Sequence, residues 1–200
     1  MRVRHVALAG VALLLLGCVD QQLPTETEIT VPLFAKGGNA DFNLGTHLTG
    51  DEEVLGSDPH PSVSRAQGQA IFRVNGAETL VRFRLIAANI ENVTMAHIHC
   101  GLPGVVGPPV MWLYPVIGPT GAPGPNAAGR FSGVLASGTF SPGDVTCLEA
   151  DVGEDMPLLD AMRAGLTYVN VHTNDGVAPT NTGPGDFPGG EIRGQIDRGN

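Results

Sequence analysis

Basic residues are scarce in this chain. Eleven Lys and Arg stand against 20 Asp and Glu over 200 residues, a formal net charge of −9. No segment carries a basic stripe, so nothing here could neutralise a phosphate backbone, and nucleic acid is excluded as a partner. The apolar run at residues 6–16 is too short to cross a bilayer as a helix. Catalytic signatures are missing as well. There is no Gly-x-Ser-x-Gly, no phosphate loop and no His-Glu-x-x-His, so the chain does not read as an enzyme of those classes. What is abundant is Gly (28) and Pro (16), which exclude long helices and favour short strands joined by turns. Hydrophobic residues still make up 42%, enough for a packed core rather than a disordered coil. The length suits one domain with a targeting segment.

That segment is the N-terminus. Arg2 and Arg4 precede the apolar run, which ends Leu15-Leu16-Gly17-Cys18. The pattern is that of a secretory signal, and its end resembles a bacterial lipobox, whose Cys is lipidated and becomes the mature N-terminus. Val19 follows the Cys, so the Asp of an inner-membrane retention signal is missing. Ordinary cleavage nearby, discarding Cys18, is the other reading. The sequence thus predicts a signal over 1–18, a flexible tether over 19–40, a folded domain over 41–197 and a tail over 198–200. The protein is expected to be exported and anchored by lipid at the cell envelope, facing an unknown protein or envelope ligand.

Export leaves Cys100 and Cys147 as an even pair in an oxidising compartment, which predicts a disulfide. Cys100 could instead offer a thiolate beside the neighbouring histidines, although strand alternation turns its side chain the other way.

From Asp41 the pattern is β. Phe42, Leu44 and Leu48 mark a first strand. Residues 69–74 form a second, and Asn75-Gly76 signals a tight turn into residues 79–87, where Val81, Phe83 and Leu85 alternate with Arg82 and Arg84. Further strands are predicted over 93–100, 109–115, 131–140, 168–173 and 191–196, with one helix over 156–164 and loops over 101–107 and 118–129. Gly194, with no side chain, lets a neighbour approach closely. Asp144, Glu149, Asp151, Glu154 and Asp155 read as a solvated acidic loop; a Ca²⁺ site is conceivable, but their spacing fits no EF-hand. His47 and His60 read as loop or surface residues. Strands separated by turns throughout predict an all-β, antiparallel sandwich or barrel.

The sharpest chemistry lies in Ala96-His97-Ile98-His99-Cys100-Gly101. On a strand, His97 and His99 share one face and Ala96, Ile98 and Cys100 the other; at a rise of ~3.3 Å per residue the two histidines stand about 6–7 Å apart at the backbone and can reach a common point. In Tyr168-Val169-Asn170-Val171-His172-Thr173, Val169 and Val171 point inward while Tyr168, Asn170 and His172 share the opposite face. Glu191, Arg193 and Gln195 share one face of the last strand. His97, His99, His172 and Glu191 therefore form a candidate set of ligands for Zn or Cu, accompanied by Asn170 and Arg193. The same groups could instead form a buried hydrogen-bonded network that fixes strand register, or a catalytic or redox centre.

These motifs, in order, resemble the CHRD (chordin) domain: Ala-His-Ile-His-x-Gly, Tyr-Val-Asn-Val-His-Thr and Gly-Gly-Glu-Ile-Arg-Gly-Gln, preceded by Leu48-Thr49-Gly50, Glu53-Val54 and Gly68-Gln69-Ala70-Ile71-Phe72. The resemblance covers about residues 41–197. It implies an immunoglobulin-like β-sandwich or barrel in a single-domain, exported protein of bacterial type, and it assigns no biochemical role. Two departures stand out: Leu55-Gly56 where Pro-Pro often follows Glu-Val, and an insertion over 175–186. The His-x-His strand is also similar in geometry, not in descent, to that of copper/zinc superoxide dismutase.

Overall fold

The structure, a computed structural model, describes residues 42–197 apart from 55, 58 and 116–126. The signal, Cys18, the tether, most of the Gly/Pro loop at 118–129 and the tail lie outside the described residues. Among the described residues the chain runs β1 (Phe42–Thr49), β2 (Gln67–Val74), β3 (Val81–Cys100), β4 (Pro109–Tyr114), β5 (Ala127–Phe140), β6 (Thr146–Cys147), α1 (Glu149–Val152), β7 (Met156–Pro157), α2 (Leu158–Arg163), β8 (Thr167–Thr173) and β9 (Ile192–Gln195). Every ladder is antiparallel, as the alternating pattern predicts.

The pairings β1–β2, β2–β3, β3–β8, β8–β9 and β9–β1 close into a ring, and β4 and β5 are added along β3. The closing step is narrow: Thr49 meets Arg193, and Gly45 meets Asp197 beyond the strand end. A Cβ on Gly194 would overlap the His47 carbonyl and the Thr46 hydroxyl, so the missing side chain is what lets β1 pass.

β3 is the spine of this ring. The sequence suggests two strands, over 79–87 and 93–100; the chain forms one strand of 20 residues. Asn89 and Asn92 sit at φ 56° and 51°, in the left-handed region that Asn tolerates better than other residues with side chains, and the register shifts around both. These bulges bend β3 without ending it. Its first half pairs with β2 and β5, and its second half with β8 and β4.

The β2–β3 connection is not the tight turn that Asn75-Gly76 suggests. Asn75 N–H donates to the Leu80 carbonyl, and Asn75 Oδ1 accepts from Thr79 and Leu80 N–H. The left-handed residue is Glu78, at φ 57°, not Gly76. The side chain of Asn75 organises a longer loop.

One apolar cluster fills the interior. Leu44, Leu48, Phe72, Leu85, Ile90, Ile98, Val169, Val171 and Ile192 are all at 1% exposure or less. α2 presents Leu158, Leu159, Ala161 and Met162 to it, and is shorter than the periodicity implies because it starts only after Pro157. The acidic stretch read as a loop contains a second short helix, α1: Asp155 Oδ1 accepts from Glu149 N–H at its start, and Gly153 ends it at φ 94°. Two helices therefore stand where one was expected.

Cys100 and Cys147 form a disulfide, with Cα atoms 5.5 Å apart and a sequence separation of 47. Both residues are fully buried. The alternative of Cys100 as a thiolate ligand falls away, since its sulfur is engaged and Cys100 sits on the apolar face.

Candidate functional site

The histidines lie on the other face of β3 and β8. The register sets His97 opposite Asn170, His99 opposite Tyr168, and Met95 opposite His172, so His172 reaches diagonally toward His97. On β9, Arg193 is opposite Asn170 and Gln195 opposite Tyr168.

All seven residues of β8 are buried, those of this polar face included. Two loops cover it. Over residues 101–108, Gly107 O accepts from His99 Nδ1 at 2.8 Å, and the Tyr168 hydroxyl bonds both N–H and C=O of Gly107. Arg193 Nη2 donates to Val105 O at 2.9 Å, and Gln195 Nε2 to Gly101 O at 2.9 Å. From the other side, Pro188 O accepts from His172 Nδ1 at 2.9 Å.

These bonds settle where the ring protons are. A carbonyl only accepts, so His99 and His172 each carry their proton on Nδ1 and leave a lone pair on Nε2. His172 Nε2 stands 3.2 Å from His97 Nδ1, which must then be the donor. His97 too is left with its lone pair on Nε2. Nε2 of His97 and Nε2 of His99 are buried with no partner.

The three rings are packed together. Centroids are 4.9 Å apart for His97–His172, 5.4 Å for His97–His99 and 5.9 Å for His99–His172. One nitrogen from each ring can be chosen so that all three lie within 4.8 Å of one another. With metal–nitrogen bonds of about 2 Å, ligand nitrogens stand about 3.3 Å apart around a tetrahedral ion. The His97 nitrogen that stands 3.2 Å from His172 Nε2 is the protonated Nδ1, so an ion shared by all three rings takes the place of that hydrogen bond.

Burial keeps the rings neutral. His97 is pushed down to about 3 by loss of hydration and by the neighbouring His172 and His99. His99 is lowered to about 4, chiefly by burial, with the Gly107 carbonyl pulling the other way. His172 is lowered by burial, against the Pro188 carbonyl. Neutral imidazole is the form that binds metals.

Tyr168 stacks on His99 with centroids 4.7 Å apart and planes at 15°, and Arg193 Cζ lies 3.5 Å over the Tyr168 ring. The guanidinium, phenol and imidazole thus form three layers.

Glu191 does not join the histidines. Its Oε1 accepts from Ser64 Oγ, and its Oε2 from Thr173 Oγ1 at 2.6 Å and Gly185 N–H at 2.9 Å. Thr173 alternates to the face away from His172, and Glu191 follows it there. The physical reason is local: Glu191 precedes β9, just after Gly190 at φ 139°, so the strand alternation does not extend back to it. Asn170 and Arg193 do accompany the cluster.

Two residues near the site were not singled out from sequence. Glu53 is 5% exposed; burial pushes its carboxyl up to about 8, with Arg193 and Asn170 opposing. Asn170 Nδ2 reaches its Oε2 at 3.5 Å. His60, read as solvated, helps fix Glu53: its Nδ1 accepts from Ser62 N–H, and its Nε2 donates to Glu53 O at 3.2 Å. Trp112 on β4 pairs with His97, its ring centroid 4.0 Å away. The Glu53-Val54 motif was a signal for the first; only the β3–β4 register reveals the second.

The fold and the site together define a disulfide-linked, closed antiparallel β domain with a buried triad of imidazoles under its covering loops. The family model of the CHRD domain matches residues 44–196, and the chain belongs to that family. No curated protein and no solved structure matches it.

Proposed function

We propose that this protein is an exported, lipid-anchored CHRD module whose folded domain holds a zinc or copper ion on His97, His99 and His172. One observation carries the reading: two imidazole lone pairs, His97 Nε2 and His99 Nε2, are buried without a partner beside a third neutral ring. An unmet buried acceptor costs about 1–3 kcal/mol. A purely structural network would bear that cost twice for nothing in return; a metal ion turns both into ligands. The carbonyls of Gly107 and Pro188 act as the outer hydrogen-bond partners that orient metal-binding histidines. Export and anchoring rest on Arg2, the apolar run and Cys18, together with a disulfide suited to an oxidising compartment.

A second reading has its own support. The His97–His172 hydrogen bond makes the cluster in part a register-fixing network, as befits a non-enzymatic binding or structural module of the envelope with a protein or envelope ligand as its partner. Elemental analysis of untagged protein separates the two. One equivalent of Zn or Cu, lost in folded His97→Ala and His99→Ala variants, is expected. No bound metal after micromolar supply would leave only the structural module.

A further inference from the structure

The ion's identity follows from what surrounds the three nitrogens. All the ligands that the fold brings together are neutral. Glu191, the carboxylate expected among them, is engaged by Ser64, Thr173 and Gly185, and Cys100 is held in its disulfide. The fixed charge nearest the stack is positive: Arg193 lies on the far face of the Tyr168 ring that packs against His99. Glu53, the acid on this face, is itself driven toward its neutral form by burial. A cation here is therefore solvated by imidazole alone, beside a guanidinium and out of water.

Charge and coordination number then decide. The energy of moving an ion out of water grows with the square of its charge, so a dication suffers about four times the penalty of a monocation of like size. Zinc also seeks four ligands. His97, His99 and His172 are the only such group among the described residues, and they are 3%, 6% and 7% exposed, with the Trp112 ring packed against His97. Imidazole suits zinc and copper alike, so donor type does not choose between them. A d¹⁰ monocation is satisfied by two or three nitrogens.

Resting on the metal-binding reading above, we infer that the buried triad of His97, His99 and His172 selects a soft monovalent cation, Cu(I), over Zn(II).

The test is a pair of anaerobic titrations of the untagged protein, one with Cu(I) and one with Zn(II), each against a chromophoric chelator of known affinity. Trp112 fluorescence provides a second readout. The expected result is one Cu(I) per chain, bound at least tenfold more tightly than Zn(II), and displaced by Ag(I), another d¹⁰ monocation. A smaller preference, or tighter Zn(II), overturns the selectivity and leaves the metal site standing. Binding of neither ion overturns both.

Discussion

His97 Nδ1 lies 3.2 Å from His172 Nε2 although 75 residues separate them along the chain. The contact exists because Met95, not His97, is opposite His172 in the β3–β8 ladder, which sets the two rings on a diagonal. It ties the candidate site to one strand register: a slip of one residue would send one ring to the apolar face.

Metal bound by His97, His99 and His172 should stabilise the fold. At a free ion concentration 100 times Kd, mass action adds about 2.7 kcal/mol. For a domain of this size that raises Tm by about 5–10 °C. Calorimetry with and without one equivalent of metal checks it, and a chelator should reverse the shift. An unchanged Tm in the wild type, or an equal rise in His97→Ala, contradicts the assignment.

The metal-free protein should lose stability in acid. The histidines have folded pKa values depressed below 6.5, so their contribution is full above that value and falls as pH drops through about 4 and about 3. Glu53 acts in the opposite sense. Its pKa is raised from 4.5 to about 8, so its contribution is full below 4.5 and lost as pH rises through 8. Each group changes stability by up to about 1.4 kcal/mol per pH unit in its window. Urea midpoints should fall below pH 6, and Glu53→Gln should flatten the alkaline decline alone.

Gly190→Ala should destabilise the domain by about 1–3 kcal/mol. A Cβ there would sit 2.6 Å from Glu53 Oε1 and 2.5 Å from Asn170 Nδ2, on a backbone at φ 139°. A wild-type urea midpoint in this variant would show that the Glu53–Asn170 contact yields freely.

Loss of the Cys100–Cys147 disulfide should lower stability by about 4 kcal/mol on the chain-entropy model for a 47-residue loop. Denaturation with and without reductant measures it. Alkylation of the native protein without reductant should leave the masses of both peptides unaltered.

Cys18→Ser should move the protein from the membrane fraction to the soluble exported fraction. Continued membrane retention of the variant would rule out lipid anchoring at this residue.

Alternation along single segments made much of this legible before any fold was known. It assigned His97 and His99 to one face, His172 to the polar face of its strand, and Val81, Phe83 and Leu85 to the core. Side-chain direction on a strand is a local property with a period of two, so it can be read from a few neighbouring residues. Composition likewise argued for strands over long helices, and the cysteine count, in a chain read as exported, for the disulfide.

What needed the tertiary structure was everything set by residues distant in sequence. Glu191, off the strand alternation beside Gly190, found its partners in Ser64, Thr173 and Gly185, which only the fold brings to it. Glu53 and Trp112 came to the site from the connection after β1 and from β4, and β3 proved continuous because Asn89 and Asn92 could bend it rather than end it. Whether an imidazole keeps a free lone pair depends on which carbonyl lies against its other nitrogen. Gly107 and Pro188 are delivered by loops, whose paths no periodicity in the chain encodes.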